Sequence, residues 1–364
     1  MNGADTAWIL VATALVLFMT LPGLALFYGG LVRARNVLSV FMHVYAVACL
    51  MSILWLVAGY SIAFGGEGSL WGGLGKAFLS GVDSESLSGT LPEVLFFAFQ
   101  MTFAIITPAL IVGAYVERIG FGFVLLFSAL WMLLVYAPVA HWIWGGGMLA
   151  DGGIFGETGV RDFAGGIVVH ETAGLAALIL AMFLGPRRNR HTPPHNPGMV
   201  MIGAGMLWVG WFGFNGGSQL ALGTEADANA VAIIFANTNM AAAAGSIVAL
   251  ILTQLLYKKP DLTMTLNGAL AGLVSITAGP LDPTLFGALW IGAIGGVIVV
   301  VVVPLLDKLK IDDVVGAIPV HLVAGFWGTL AVPFYTEGTS FSTQIIGFAA
   351  IGAFVFVVSA VFWL

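Results

Sequence analysis

Apolar stretches follow one another along this chain, divided by short polar breaks. A helix needs about 20 residues to cross the hydrocarbon core of a bilayer. Eleven stretches meet that length or come close to it: residues 8–31, 37–64, 92–116, 121–144, 163–184, 197–214, 228–257, 262–278, 285–306, 314–335 and 341–364. The pattern predicts an all-α membrane protein of eleven transmembrane helices, read as a single domain over 1–364. The last stretch ends with the chain, which predicts a longer native protein or one module of it.

Composition supports the membrane reading. The chain is 60% hydrophobic and 8% charged, where a soluble domain carries about 25% charged residues. Forty-nine glycines suit helices that approach closely in lipid. The one cysteine, Cys49, excludes a disulfide framework and a cysteine-based metal site. No basic segment precedes the first span, so no cleavable signal peptide is expected. The net charge of −6 says little about partners in so buried a protein.

The basic residues fix an expected orientation. Arg33 and Arg35 follow span 1, Arg118 follows span 3, and Arg187, Arg188 and Arg190 follow span 5. Lys258 and Lys259 follow span 7, and Lys308 and Lys310 follow span 9. Only Lys76 and Arg161 lie after even-numbered spans. The positive-inside rule then places the N-terminus outside and the C-terminus inside. The expected location is the cell (inner) membrane.

A thirteen-residue pattern occurs twice, 151 positions apart. One copy runs from Asp162 through His170 to Gly174, the other from Asp313 through His321 to Gly325. Asp, Gly, Ile, Val, His, Ala and Gly agree in register. A second echo pairs Gly23-x3-Phe27-x-Gly29-Gly30 with Gly210-x3-Phe214-x-Gly216-Gly217. Spans 1–5 (about 7–190) and 6–10 (about 197–336) are thus read as two repeats, with span 11 (341–364) outside them. Five is odd, so the second repeat must cross in the opposite sense. The first repeat has 36 more residues between its first glycine and its aspartate, 139 against 103. They are assigned mainly to the breaks 65–91 and 145–161.

An ionisable residue inside a membrane helix is a functional-site candidate, and His170 and His321 hold equivalent places in the repeat. Facing each other, two imidazoles could share a proton and offer donor and acceptor ends, titrating as a unit. The bland alternative is two structural histidines bonded to carbonyls. Metal binding is disfavoured, because His170-Glu171-x-x-Gly174 lacks the second histidine of a zinc-protease helix. Asp162 and Asp313 read first as helix N-caps, with Asp162 also placed to shape a cation site. Phe99, Phe103, Trp142, Trp144, Trp211 and Phe214 gather toward the outer helix ends, with Ser218 beyond. They read as an interfacial belt or as a cation cage, each face worth about 0.5–2 kcal/mol.

At these residues the chain resembles the ammonium transporter family, Amt, with its Mep and Rh relatives. The matching stretches are Ala25–Arg33, Phe99–Phe103, Ala140–Gly147, Asp162–His170, Gly210–Ser218 and Asp312–His321, spread over the whole chain. The resemblance implies a homotrimer of eleven-helix protomers, each with its own pore. It implies ammonium recruitment at Phe103, Trp144 and Ser218, with the Ala164 carbonyl lining the vestibule and Asp162 nearby as a structural acid. Phe103 and Phe214 match two stacked rings that gate the pore, His170 and His321 the twin histidines, and Trp211 and Thr277 pore-lining positions. Trp144 with Phe103 fits Amt better than Rh.

Two features depart from the family pattern. Glu171 follows the first pore histidine, about 100° round the helix from it, and has no assigned role. The other expected departure is the lack of a cytoplasmic tail after span 11; in the family that tail helps couple to PII-type regulators.

The implied activity is ammonium transport: recruitment, deprotonation, and passage of ammonia past the histidines, with the proton crossing separately and the net step electrogenic. Potassium, of similar size, cannot shed a proton. The rival readings are an ammonium sensor coupled to a fused signalling domain, a neutral-solute channel, and a membrane metalloenzyme. The partners expected are ammonium or ammonia, lipid and copies of the same chain. No enzyme activity, cofactor, metal or nucleic acid is expected.

Overall fold

The computed structural model describes residues 1–190 and 192–362. Eleven helical rods run through it: α1 Gly3–Leu31, α2 Ala34–Phe64, α3 Glu93–Tyr115, α4 Phe121–Trp144, α5 Gly166–Leu184, α6 Pro197–Gly217, α7 Glu225–Tyr257, α8 Leu262–Thr277, α9 Leu285–Lys308, α10 Ile318–Phe334 and α11 Phe341–Val361. The predicted end of span 11, at Leu364, lies outside the described residues.

Several rods begin at polar caps rather than at the first apolar residue, and this accounts for the differences at the starts of α1, α5, α7 and α10. Asn2 caps α1 through the N–H groups of Ala4 and Asp5, so the helix starts five residues before the predicted 8. Thr224 caps α7 ahead of the predicted 228. The start of α5 moves the other way, from 163 to Gly166. The Asp162 carboxylate accepts from the N–H groups of Gly165, Gly166, Ile167 and Val168 at 2.6–2.9 Å, and Gly165 turns into the chain at φ +112°. Asp313 does the same for Gly316, Ala317 and Ile318, with Gly316 at φ +82°. It delays α10 from 314 to Ile318.

The central crossing is between α5 and α10, and the repeated glycines make it possible. A Cβ on Gly174 would stand 2.3 Å from the Leu322 backbone nitrogen, next to His321. A Cβ on Gly325 would stand 3.0 Å from the Gly166 carbonyl oxygen and 3.3 Å from the His170 Cβ. The last glycine of each copy therefore seats the histidine turn of the other. Each histidine also lies in a π-helical turn, Gly166–Glu171 and Ile318–Val323. Such turns widen a helix locally and concentrate at functional sites. Helices α1 and α6 cross in the same reciprocal way: Gly23 abuts Met206 and Leu207, and Gly210 abuts Met19.

Helices α7, α8 and α9 form a second tight group. Gly245 abuts the carbonyls of Gly268 and Gly292, and Gly272 and Gly292 both abut the Ala241 carbonyl. Small residues let backbones meet where lipid gives no hydrophobic drive for association. Helix α8 has only 16 residues, about 24 Å of helix, and reaches its ends through the Asp261 cap and an Ala278 loop. One two-stranded hairpin, β1 Leu87–Ser88 with β2 Leu91–Pro92, stands in the break between α2 and α3.

Candidate functional site

A cavity of about 280 Å³ opens on the face opposite the Arg33–Arg187 side and is lined by Phe64, Phe96, Gln100, Phe103, Ile143, Trp144, Phe163, Ser218 and Leu220. Trp144 stands edge-on to Phe103 at 6.0 Å and 87°. Its indole N–H is already spent on the Asp162 carbonyl at 2.7 Å, so the ring rather than its donor faces the cavity. Ser218 donates to the Phe214 carbonyl at 2.8 Å, which leaves its oxygen lone pairs free to accept.

Gln100 was not singled out in the sequence. It is 8% exposed, and its Oε1 lacks a hydrogen-bond partner within the protein. A lone glutamine in an apolar helix carries no periodic signal; its place between Phe99 and Phe103 was the only available clue.

Ala164 and Asp162 are not among the residues that line this cavity. Ala164 is wholly buried and donates its N–H to the Thr277 carbonyl. Asp162 borders a neighbouring cavity of about 180 Å³ together with Arg161, Ala278, Asp282 and Thr336. Its carboxylate is taken up by the four α5 N–H groups.

Below the cavity the aromatic rings close the path. Phe103 and Phe214 lie 4.4 Å apart, tilted by 31° to one another, and both are buried. Phe214 is followed by His170 at 5.8 Å. His170 lies nearly parallel to Trp211 at 5.4 Å and to His321 at 5.2 Å. The two imidazoles meet Nδ1 to Nδ1 at 3.1 Å. Trp211 donates to the Thr277 hydroxyl at 2.9 Å, which fixes the indole over His170. The sequence-predicted residues Phe103, Trp144, Ser218, Phe214, Trp211, Thr277, His170 and His321 thus form one file from the cavity to the centre of the α5–α10 crossing.

The geometry sets what this file can do. A Nδ1–Nδ1 hydrogen bond needs one ring protonated there and the other not. If both rings are neutral, the two Nε2 atoms are opposite in sense, one carrying hydrogen and one a lone pair. A proton arriving at the free lone pair can be matched by one leaving the other end, with the shared proton moving between. No three His, Cys, Asp or Glu side chains among the described residues are grouped as metal ligands.

Comparisons with known proteins agree with one another. The model of the Ammonium Transporter Family matches residues 7–364. An ammonium transporter of Bacillus subtilis is 42% identical over 381 residues, covering 99% of this chain and 91% of its own. The crystal structure of Mep2 from Candida albicans superimposes with a TM-score of 0.88 at 31% identity, over 99% of this chain and 83% of that one. A structure described as a sensor Amt protein does so with a TM-score of 0.88 at 29% identity, over 99% and 92%. With eleven helices, the family's structural likeness and a model match over nearly its whole length, this chain belongs to the ammonium transporter family.

Proposed function

We propose that the chain moves ammonium across the membrane by binding the ion, separating it into ammonia and a proton, and passing both by way of the histidine pair. The single observation that carries this is the 3.1 Å contact of His170 and His321 directly below the Phe103–Phe214 gate.

Ammonium enters the cavity and presents its charge to the faces of Trp144 and Phe103. Its N–H groups are offered the Ser218 hydroxyl and the Gln100 amide oxygen as acceptors. Moving the intact cation past the phenyl gate would strip its hydration in an apolar passage, at a cost of many kcal/mol. Ammonia avoids most of that cost. The released proton passes onto the imidazole pair, a second proton leaves its far end, and ammonia follows the same path. One positive charge crosses per ammonium, so the step is electrogenic. Potassium has no proton to give and meets the full electrostatic barrier. Asp162 supports this by ordering the first turn of α5 rather than by binding the ion.

The same reading places the N-terminus and the Trp144 cavity outside and the Arg33–Arg187 face inside. It takes the two five-helix halves as inverted repeats and the assembly as a homotrimer with a pore in each protomer. A PII-type regulator would meet the inner face. The alternative reading is a sensor in which ammonium binding signals to a fused domain with little flux; the likeness to a sensor Amt protein is no greater than that to Mep2.

Current recording on proteoliposomes separates these. Ammonium should give a concentration-dependent current and potassium none. Ammonia flux without current would favour a neutral channel, and saturable binding without either would favour the sensor.

A further inference from the structure

The Glu171 side chain has no part in the pore described above. It is wholly buried, and neither carboxyl oxygen has a hydrogen-bond partner. It leaves the same π-helical turn as His170 but toward α11, where a Cβ on Gly352 would stand 3.0 Å from its Oε1. On α10, Gly325 packs against the His170 Cβ and the Glu171 backbone nitrogen. One turn further along α10, toward the Trp144 face, the Thr329 hydroxyl is also buried without a partner. Beyond it Gln344 of α11 donates to the carbonyls of Thr329 and Arg161. Polar groups therefore recur along the α5–α10–α11 seam, at Glu171, Thr329, Gln344 and the Arg161 backbone, with no hydrogen bond joining the Glu171 or Thr329 side chain to the others. No other ionisable side chain joins it from α11, which has none over its length. Helix α10 contributes only His321, and α5 only His170, with the capped Asp162 ahead of it.

A bare carboxylate without donors is costly in such a place, and an apolar residue would fill the space without that penalty. We propose that Glu171 is a proton-storing, positioning residue for the His170–His321 pair, exchanging its proton through the Thr329–Gln344 seam. The idea rests on the relay reading above. At rest the carboxyl keeps its proton and the imidazole pair is neutral. When ammonium gives a proton to the pair, Glu171 releases one to water that enters the seam from the Arg161 end and carries it away. The carboxylate and the protonated pair then carry no net charge between them, so the proton on the pair is never uncompensated in the membrane. When the pair passes its proton on, Glu171 regains one by the same seam. Each cycle moves one proton and one ammonia, and no oxidant or other reactant is needed.

Reconstituted full-length protein tests this by two readouts. Infrared spectra at neutral pH should show a protonated-carboxyl band that is lost in Glu171→Gln. Glu171→Gln and Glu171→Leu should both weaken proton uptake by the pair about tenfold, moving the midpoint of the current's pH profile to the acid side by about one unit. Half-saturation by ammonium should not change, and Glu171→Asp should keep the wild-type profile. Absence of the band overturns the proposal. So does an unshifted profile in folded Glu171→Leu, even if that variant melts higher. If histidine variants keep selectivity while Glu171→Leu still shifts the profile, the relay reading fails and the proposal falls with it. If histidine variants leak potassium and Glu171→Leu is silent, only the role of Glu171 falls.

Discussion

The Trp144 indole shows how one side chain can be bound to structure and still face a ligand. Its N–H holds the Asp162 carbonyl while its ring borders the cavity. Trp144→Leu removes a cation-binding face worth about 1 kcal/mol, so half-saturation by ammonium should rise about fivefold with assembly intact. An unchanged value would leave the ring a membrane-interface residue only. Gln100→Leu removes an unpartnered acceptor from the same wall and should also raise half-saturation, with little effect on melting. Asp162→Ala strips four backbone N–H groups of their acceptor. Loss of an ordinary cap costs about 1 kcal/mol, and melting of the purified protein should show at least that. At this scale the sequence displayed its aromatics, its two histidines and its capping aspartates, because each is rare or repeated. It did not display Gln100, because its place in the wall depends on where α3 lies against its neighbours.

At the scale of elements, the repeated glycines matter more than helix propensity. Gly174 and Gly325 let α5 and α10 close on one another until the imidazoles touch. Gly174→Val has no space against the Leu322 backbone, so α5 and α10 must separate. Ammonium current should fall steeply even where folded protein is recovered, and a near-normal current would show the crossing to be more tolerant than its geometry implies. The thirteen-residue repeat makes this crossing legible in the sequence alone. The π-helical turns that hold both histidines were not legible, since an added residue in a turn leaves an apolar pattern unchanged. Nor was the hairpin Leu87–Ser88 with Leu91–Pro92, whose strands are too short to alternate. Helix ends were misplaced by up to five residues, because capping side chains set them while the apolar pattern sets only the membrane-facing middle.

At the scale of the whole molecule, one charge network joins the breaks that follow α1, α3, α5 and α9. Arg33 and Asn36 donate to Glu117. Arg187 bridges Glu117 at 2.8 Å and grips both oxygens of Asp312. Arg118 donates to the carbonyls of Gly185 and Asp312. Burial works against the Glu117 charge, but the donors from Arg33, Asn36 and Arg187 hold the group down at about 2. Asp312 is lowered as well: burial opposes its charge and the Arg187 bonds prevail. Both groups ionise more readily folded than unfolded. Their contribution is therefore complete above the ordinary carboxylate range and is lost as pH falls through that range toward 2. Melting temperature should drop over that acid window in wild type and less steeply in Glu117→Gln. That variant should already be weaker at neutral pH by about 3 kcal/mol, the cost of breaking a buried pair.

The central claim is that the paired imidazoles pass a proton and a neutral molecule while denying a bare cation. The direct measurement is ammonium against potassium flux in proteoliposomes carrying His170→Asp or His321→Glu. A fixed carboxylate in the apolar passage offers a cation the counter-charge that the imidazoles withhold. Potassium should begin to permeate in both variants. Well-assembled variants that still exclude potassium while conducting ammonium would contradict the claim.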